Sequence, residues 1–174
     1  MMKAGDTPKK NREISMKLYT LEVYLTDGPM TEAHIAENPV VCRTIQVRGD
    51  QTLEDLHVAI FKAFDRWENH MYQFQVGGRG PWDPRARRFE DCVPAHDPPE
   101  GMEKVEGAQT TRLDDLKLKA GQPFGYWFDF GDDWRHQINA AKIGRPVPRA
   151  RYPKVIKHLG ASPPQYMELE EEDE

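Results

Sequence analysis

Apolar and polar positions alternate along several stretches of the chain and switch to helical spacing in one. Between Met16 and Thr26, Tyr19, Leu21, Val23 and Leu25 take every second position, with Glu22, Tyr24 and Thr26 on the other side. That is the pattern of a strand with one buried face. Val40 to Val47 repeats it through Val41, Ile45 and Val47, with Arg43 interrupting the apolar face. From Thr52 the period changes, and Leu53, Leu56, Ile60, Phe64 and Trp67 step by three or four. Thr52-Leu-Glu-Asp55 places a hydroxyl and a carboxylate where a helix start leaves its amides free, so an amphipathic helix is expected from Leu53 to Asp65. Met71 to Val76 returns to a period of two, with Tyr72, Phe74 and Val76 in line with His70.

The densest pattern is Phe124 to Ile138, where aromatics recur at every second position, break at Gly131-Asp132-Asp133, and resume with Trp134, His136 and Ile138. It predicts a β-hairpin whose second arm runs to about Ile143. Phe124, Tyr126, Phe128 and Phe130 share one face of the first arm, and Gly125, Trp127 and Asp129 the other. Two registers compete. A two-residue turn opening on Gly131 pairs Asp129 with Trp134 and Trp127 with His136, gathering a polar site. Hydrophobic alternation instead puts Phe128 and Phe130 on the side of Trp134, His136 and Ile138, which needs an odd loop or a bulge. Burial favours the second, because each large side chain is worth roughly 1.5–3 kcal/mol and turn preferences are smaller.

Residues 77–109 are rich in Gly, Pro and charge, and read as a long excursion with at most one short strand near Arg88 to Val93. Pro153 to Gly160, with proline near a start and glycine past an end, reads as a short basic helix. Ser162-Pro-Pro-Gln-Tyr166 reads as an extended segment lying on the body through Tyr166. These elements predict an α+β fold, a mixed, mainly antiparallel sheet of about five strands packed on one main helix in a β-grasp-like order. Residues 16–166 form the expected single domain, between a flexible leader at 1–15 and an acidic, disordered tail at 167–174.

Composition changes this picture little. At 174 residues the chain can bury a core without staples. Cys42 and Cys92 are too few for a four-cysteine zinc site or a disulfide scaffold, so a reducing, cytoplasmic setting is expected. No apolar run is long enough to span a membrane, and no membrane partner is expected. The net charge of −5 comes from the last seven residues, which hold six of the 29 acids and leave 23 against 24 basic residues elsewhere.

Three segments together resemble the plasmid pRiA4b ORF-3-like family, which includes passenger proteins of insertion elements. They are Thr52-Leu-Glu-Asp-Leu-His57 leading to Trp67 and His70-Met-Tyr-Gln-Phe74, then Tyr126-Trp-Phe-Asp-Phe-Gly-Asp-Asp-Trp-Arg-His136, then Arg151-Tyr-Pro153 followed by Pro163-Pro164. The resemblance spans roughly residues 16–166 and implies a compact α+β domain without an established activity. A resolvase-like label attached to some members does not transfer, since no serine-nucleophile pattern is visible. Cys42-Arg43-Thr44 stands where many members have tryptophan and two arginines, and Val155 to Ser162 lacks the cysteines of many family ends, so no role resting on those cysteines applies.

Candidate chemistry follows from polar residues set among aromatics. His57, His70, Asp129, Asp132, Asp133 and His136 offer imidazole and carboxylate donors, and a divalent metal at His70, Asp129, Asp132 and His136 would support a metal-dependent enzyme. The structural alternative has Asp129 or Asp132 capping turn amides while Trp134 and His136 fill the core. Arg79, Arg85, Arg87 and Arg88 around Trp82 offer phosphate contacts and stacking for nucleic acid, diluted by Asp83, Glu90 and Asp91. The leading expectation is a non-enzymatic binding or adaptor module of mobile-element origin, with no cofactor and a protein or peptide partner. It would hold that partner between the excursion and the aromatic hairpin, with His70, Trp82, Trp127, Asp129, Asp132, Trp134 and His136 as ligand-binding candidates.

Overall fold

The computed structural model describes residues 15–94, 96–101 and 104–167. Apart from Ser15 and Met167, the expected leader and acidic tail lie outside the described residues. Strand β1 (Leu18–Asp27) leads through a short helix, α1 (Glu32–Glu37), into β2 (Cys42–Arg48), and α2 (Leu53–Ala63) follows. The chain continues through β3 (Tyr72–Val76), β4 (Arg87–Glu90), β5 (Val105–Gly107) and a 3-10 turn (Leu113–Leu116). It closes with β6 (Pro123–Phe128), β7 (Trp134–Gly144) and β8 (Lys154–Leu159).

All eight strands join one sheet in the order β5-β4-β3-β6-β7-β1-β2-β8, antiparallel throughout except for the β4–β5 pair. This overturns the expected five-strand, β-grasp-like sheet on one main helix: the molecule is mostly sheet, with two short helices. Two departures contribute to it. The excursion, expected to hold at most one short strand near Arg88 to Val93, holds both β4 and β5, and Lys154–Leu159 is a strand rather than a basic helix. The β-branched pair Val155-Ile156 suits a pleated surface, and the free edge of β2 supplies the hydrogen bonds that a helix of six residues would have to make alone.

One sheet face is apolar because pairing brings alternate residues into rows. Tyr72, Phe128 and Trp134 form one row, and Phe74, Tyr126, His136 and Leu25 the next. Helix α2 covers them with Leu53, Leu56, Ile60 and Ala63, its start held by a capping box in which Thr52 and Asp55 exchange hydrogen bonds. The helix ends at Ala63, and Trp67, expected to continue its buried stripe, is 70% exposed.

The β6–β7 loop has five residues, so Phe128 pairs with Trp134, the register that burial favoured. Phe130 does not join that face, and packs instead on Trp127 with ring centroids 4.2 Å apart. Asp129 organises the loop. Its backbone is left-handed (φ 59°), and its Oδ1 accepts from the amides of Gly131 and Asp132 at 3.0 and 3.2 Å.

Candidate functional site

The second sheet face is polar and carries no helix. Gln73, Trp127 and Arg135 make one row on it, and Gln75, Gly125 and Gln137 the next. After β3 the chain folds back over this face. Pro81 and the rim of Trp82 lie over Gly125, within 3.7 Å of where a Cβ would stand. Trp82 itself is held in the left-handed region (φ 69°), a strain of about 1 kcal/mol that the loop must offset elsewhere. Asp83 does so. Its carboxylate accepts from the amides of Arg79 and Arg85 at 2.7 and 2.9 Å and from the Arg85 side chain. The Arg85 guanidinium, with those amides, lowers the Asp83 pKa to about 2.

The result is a groove of about 560 Å³ lined by Gln73, Gln75, Trp82, Arg85, Arg88 and Trp127. The Arg135 guanidinium lies 5.0 Å from the Trp82 ring and 5.4 Å from the Trp127 ring, bridging the two aromatic walls. Trp127 donates its indole N–H to Asp133 at 2.8 Å, which fixes the ring.

A second polar cluster occupies the pole where α2 ends, the hairpin loop turns and residues 161–167 cross. His70 Nε2 is 2.7 Å from the Tyr166 hydroxyl and 3.5 Å from Asp129 Oδ2. Tyr166 donates to Glu68 at 2.9 Å. Gln165 is buried, accepts from the amides of Trp67 and Glu68, and donates to the Glu68 carbonyl at 2.7 Å. Beneath, the Arg66 guanidinium stacks on the Trp134 ring at 3.8 Å, and burial lowers its pKa to about 10.

The family model of plasmid pRiA4b ORF-3-like proteins matches residues 34–169. The chain belongs to that family. Over 129 residues it is 26% identical to the uncharacterized protein y4hQ of Sinorhizobium fredii (strain NBRC 101917 / NGR234), covering 73% of this chain and 59% of that protein. It thus spans about three fifths of that relative's length. The crystal structure of a protein of unknown function, MM3350 from Methanosarcina mazei Go1, superposes with a TM-score of 0.62 at 21% identity, over 83% of this chain and 70% of that one. That likeness concerns the fold.

In this pRiA4b ORF-3-like chain the candidates separate. Trp82 and Trp127 share the groove, whereas His70 and Asp129 meet at the pole. Trp134 and His136 lie on the helix-facing side, fully buried, with His136 Nδ1 facing the Tyr126 carbonyl at 3.4 Å. Asp132 is placed by the hydrogen bond its amide donates to Asp129 Oδ1. Among the described residues no group of three or more His, Cys, Asp or Glu side chains is arranged to hold a metal ion. Of the arginines, Arg85 and Arg88 line the groove, Arg85 is paired with Asp83, and Arg87 is paired with Glu106 at 2.6 Å. His57 is buried against Tyr72 and bonded to the Tyr126 hydroxyl at 2.7 Å. Sequence reasoning missed Gln73, Gln75 and Arg135 as groove residues, although their alternation with Tyr72, Phe74 and Trp134 marked them as facing outward. Arg66 gave no signal, because its burial arises only from contact with a strand far along the chain.

Proposed function

We propose that this protein is a non-catalytic binding module that holds an extended peptide of a partner protein in the groove between residues 77–88 and the β6–β7 hairpin. The supporting observation is the strained, braced Trp82 above Gly125, which together with Trp127 walls a preformed groove lined by carboxamides. Extended and polyproline-type peptides dock in aromatic-lined grooves of this kind. A cytosolic setting belongs to this reading, supported by two free cysteines, as does the mobile-element association suggested by a family named for a plasmid. No helix of the described residues is long and apolar enough to cross a membrane.

The test is a panel of synthetic proline-rich and extended polar peptides titrated against the protein by calorimetry. Trp82→Ala and Trp127→Ala should each weaken the best binder at least tenfold without unfolding the protein. Equal affinity in both variants, or no binder in the panel, defeats the reading. A nucleic-acid reading draws on Arg85 and Arg88 beside the two tryptophans. It requires steeply salt-dependent filter binding that is lost when Arg79, Arg85, Arg87 and Arg88 are replaced. The metal-enzyme reading draws on the His70–Asp129 approach and requires stoichiometric metal, lost in His70→Ala, by elemental analysis.

A further inference from the structure

The pole where α2 ends leaves large apolar side chains in solvent. Trp67 is 70% exposed, Met167 54%, Met71 46% and Tyr166 37%. Trp67 and Tyr166 are held close together. The Trp67 and Tyr166 rings meet edge to face at 5.5 Å, Tyr166 bonds to His70, and Met71 follows His70 in the chain. Gln165 fastens this arrangement to the backbone of residues 67 and 68 through three hydrogen bonds, so the patch is rigid before any partner arrives. Trp, Tyr and Met are the residue types that interface centres favour, and single exposed tryptophans of this kind dominate binding where they occur. A fixed apolar patch with a polar rim marks an interaction surface.

The rim identifies the partner's charge. Glu68 is exposed and accepts from Tyr166, whereas Asp129, 3.5 Å from His70, is buried and offers little charge outward. Asp65, just past the Phe64 cap of α2, is left-handed and exposed to solvent. The Tyr166 hydroxyl is raised to about 12 by burial and Glu68, and also by Asp129 and Asp132, which places both aspartates within electrostatic reach of the patch. Of the guanidiniums described near the end of α2, those of Arg43 and Arg66 are buried, Arg66 stacked on Trp134, so they offer little charge outward. Met167 leads directly into Glu168-Leu-Glu-Glu-Glu-Asp-Glu174, which adds six carboxylates to the sequence at this point.

We propose that this pole is a docking surface for a basic amphipathic segment of a partner protein, its apolar side chains covering Trp67, Met71, Tyr166 and Met167 and its Lys or Arg side chains meeting the carboxylate rim. It lies apart from the aromatic groove and does not depend on the function assigned there. The partner's apolar face supplies affinity, and the acidic residues steer it and set its salt dependence.

The probe is a short synthetic amphipathic peptide of lysine and leucine, with a glutamate-for-lysine analogue as control, titrated against the full chain by calorimetry and tryptophan fluorescence. The lysine peptide should bind at low salt and shift tryptophan emission to the blue, and the glutamate peptide should not bind. Trp67→Ala should weaken binding at least tenfold, while Val147→Ala, at a remote exposed apolar position, leaves it unchanged. Removing residues 168–174 should lower affinity several-fold at low salt and flatten the salt dependence. The proposal is overturned if the lysine peptide does not bind, if both peptides bind alike, or if Trp67→Ala binds as wild type. Dimerisation of the unliganded chain that Trp67→Ala abolishes would likewise overturn it, assigning the patch to a second copy.

Discussion

His57 and His136 are imidazoles enclosed by aromatic rings: His57 lies 3.7 Å from Tyr72 in a stacked pair, and His136 meets Phe64 at 5.0 Å. Burial lowers the His57 pKa to about 4, and burial together with Arg66 lowers that of His136 to about 3. Both folded values lie below the unfolded one near 6.5. The unfolded chain therefore takes up protons that the folded chain refuses, and stability is complete above that pH and declines as pH falls towards 4. Each imidazole contributes a slope of about 1.4 kcal/mol per pH unit. In carbon NMR both rings should stay neutral from about pH 8 to 5, and the urea midpoint should fall on acidification. A titration of either ring near 6.5 would contradict their placement. At this scale the sequence marked His70, Asp129 and His136 as notable without separating their roles. Asp129 satisfies loop amides, as its place beside Gly131 suggested, but whether His136 met it depended on the hairpin register.

Arg43 shows how one residue joins elements. Expected as a break in an apolar face, it is 3% exposed and donates through Nε to the Ala63 carbonyl at the end of α2. Its Nη1 reaches the carbonyls of Leu159 and Gly160, and its Nη2 the Ser162 hydroxyl. One guanidinium thus ties α2, β8 and the segment beyond it. The chain turns inward at Gly160, which is left-handed (φ 73°) and so close to the Val40 carbonyl that a Cβ would collide with it. Arg43→Met leaves buried carbonyls without donors and should cost about 3 kcal/mol. Arg43→Lys should recover little, lacking the planar fork. Urea unfolding measures the loss, and hydrogen exchange should show β8 amides opening first. Normal protection of β8 in Arg43→Met would refute this account. Periodicity revealed β1, β2, α2, β3 and the hairpin, because each buries one face and needs the pattern to do so. β8 buries almost nothing, so no pattern marked it, and its strand state follows from pairing with β2.

For the whole molecule, an eight-stranded sheet with α2 on one face leaves the other covered in part by residues 77–88, and two edges to protect. β8 forms one edge and pairs only with β2 among the described strands. Ile156 and Leu159 on it are each 48% exposed, beside Lys154 and Lys157, and lysine on an open edge discourages strand addition by other chains. Lys157→Val should therefore raise light scattering on warming while leaving the melting temperature of the dilute protein within a few degrees. Unchanged scattering would show that the edge needs no charged guard. By itself the sequence determined the apolar face and the helix that covers it, because burying large side chains leaves a periodic pattern, but it left the hairpin loop between two competing registers. Only tertiary structure decided the number of strands, the burial of Arg43 and Arg66, and the meeting of Trp82 with Trp127. Those depend on contacts between residues distant in the chain, whose local patterns are indifferent to them.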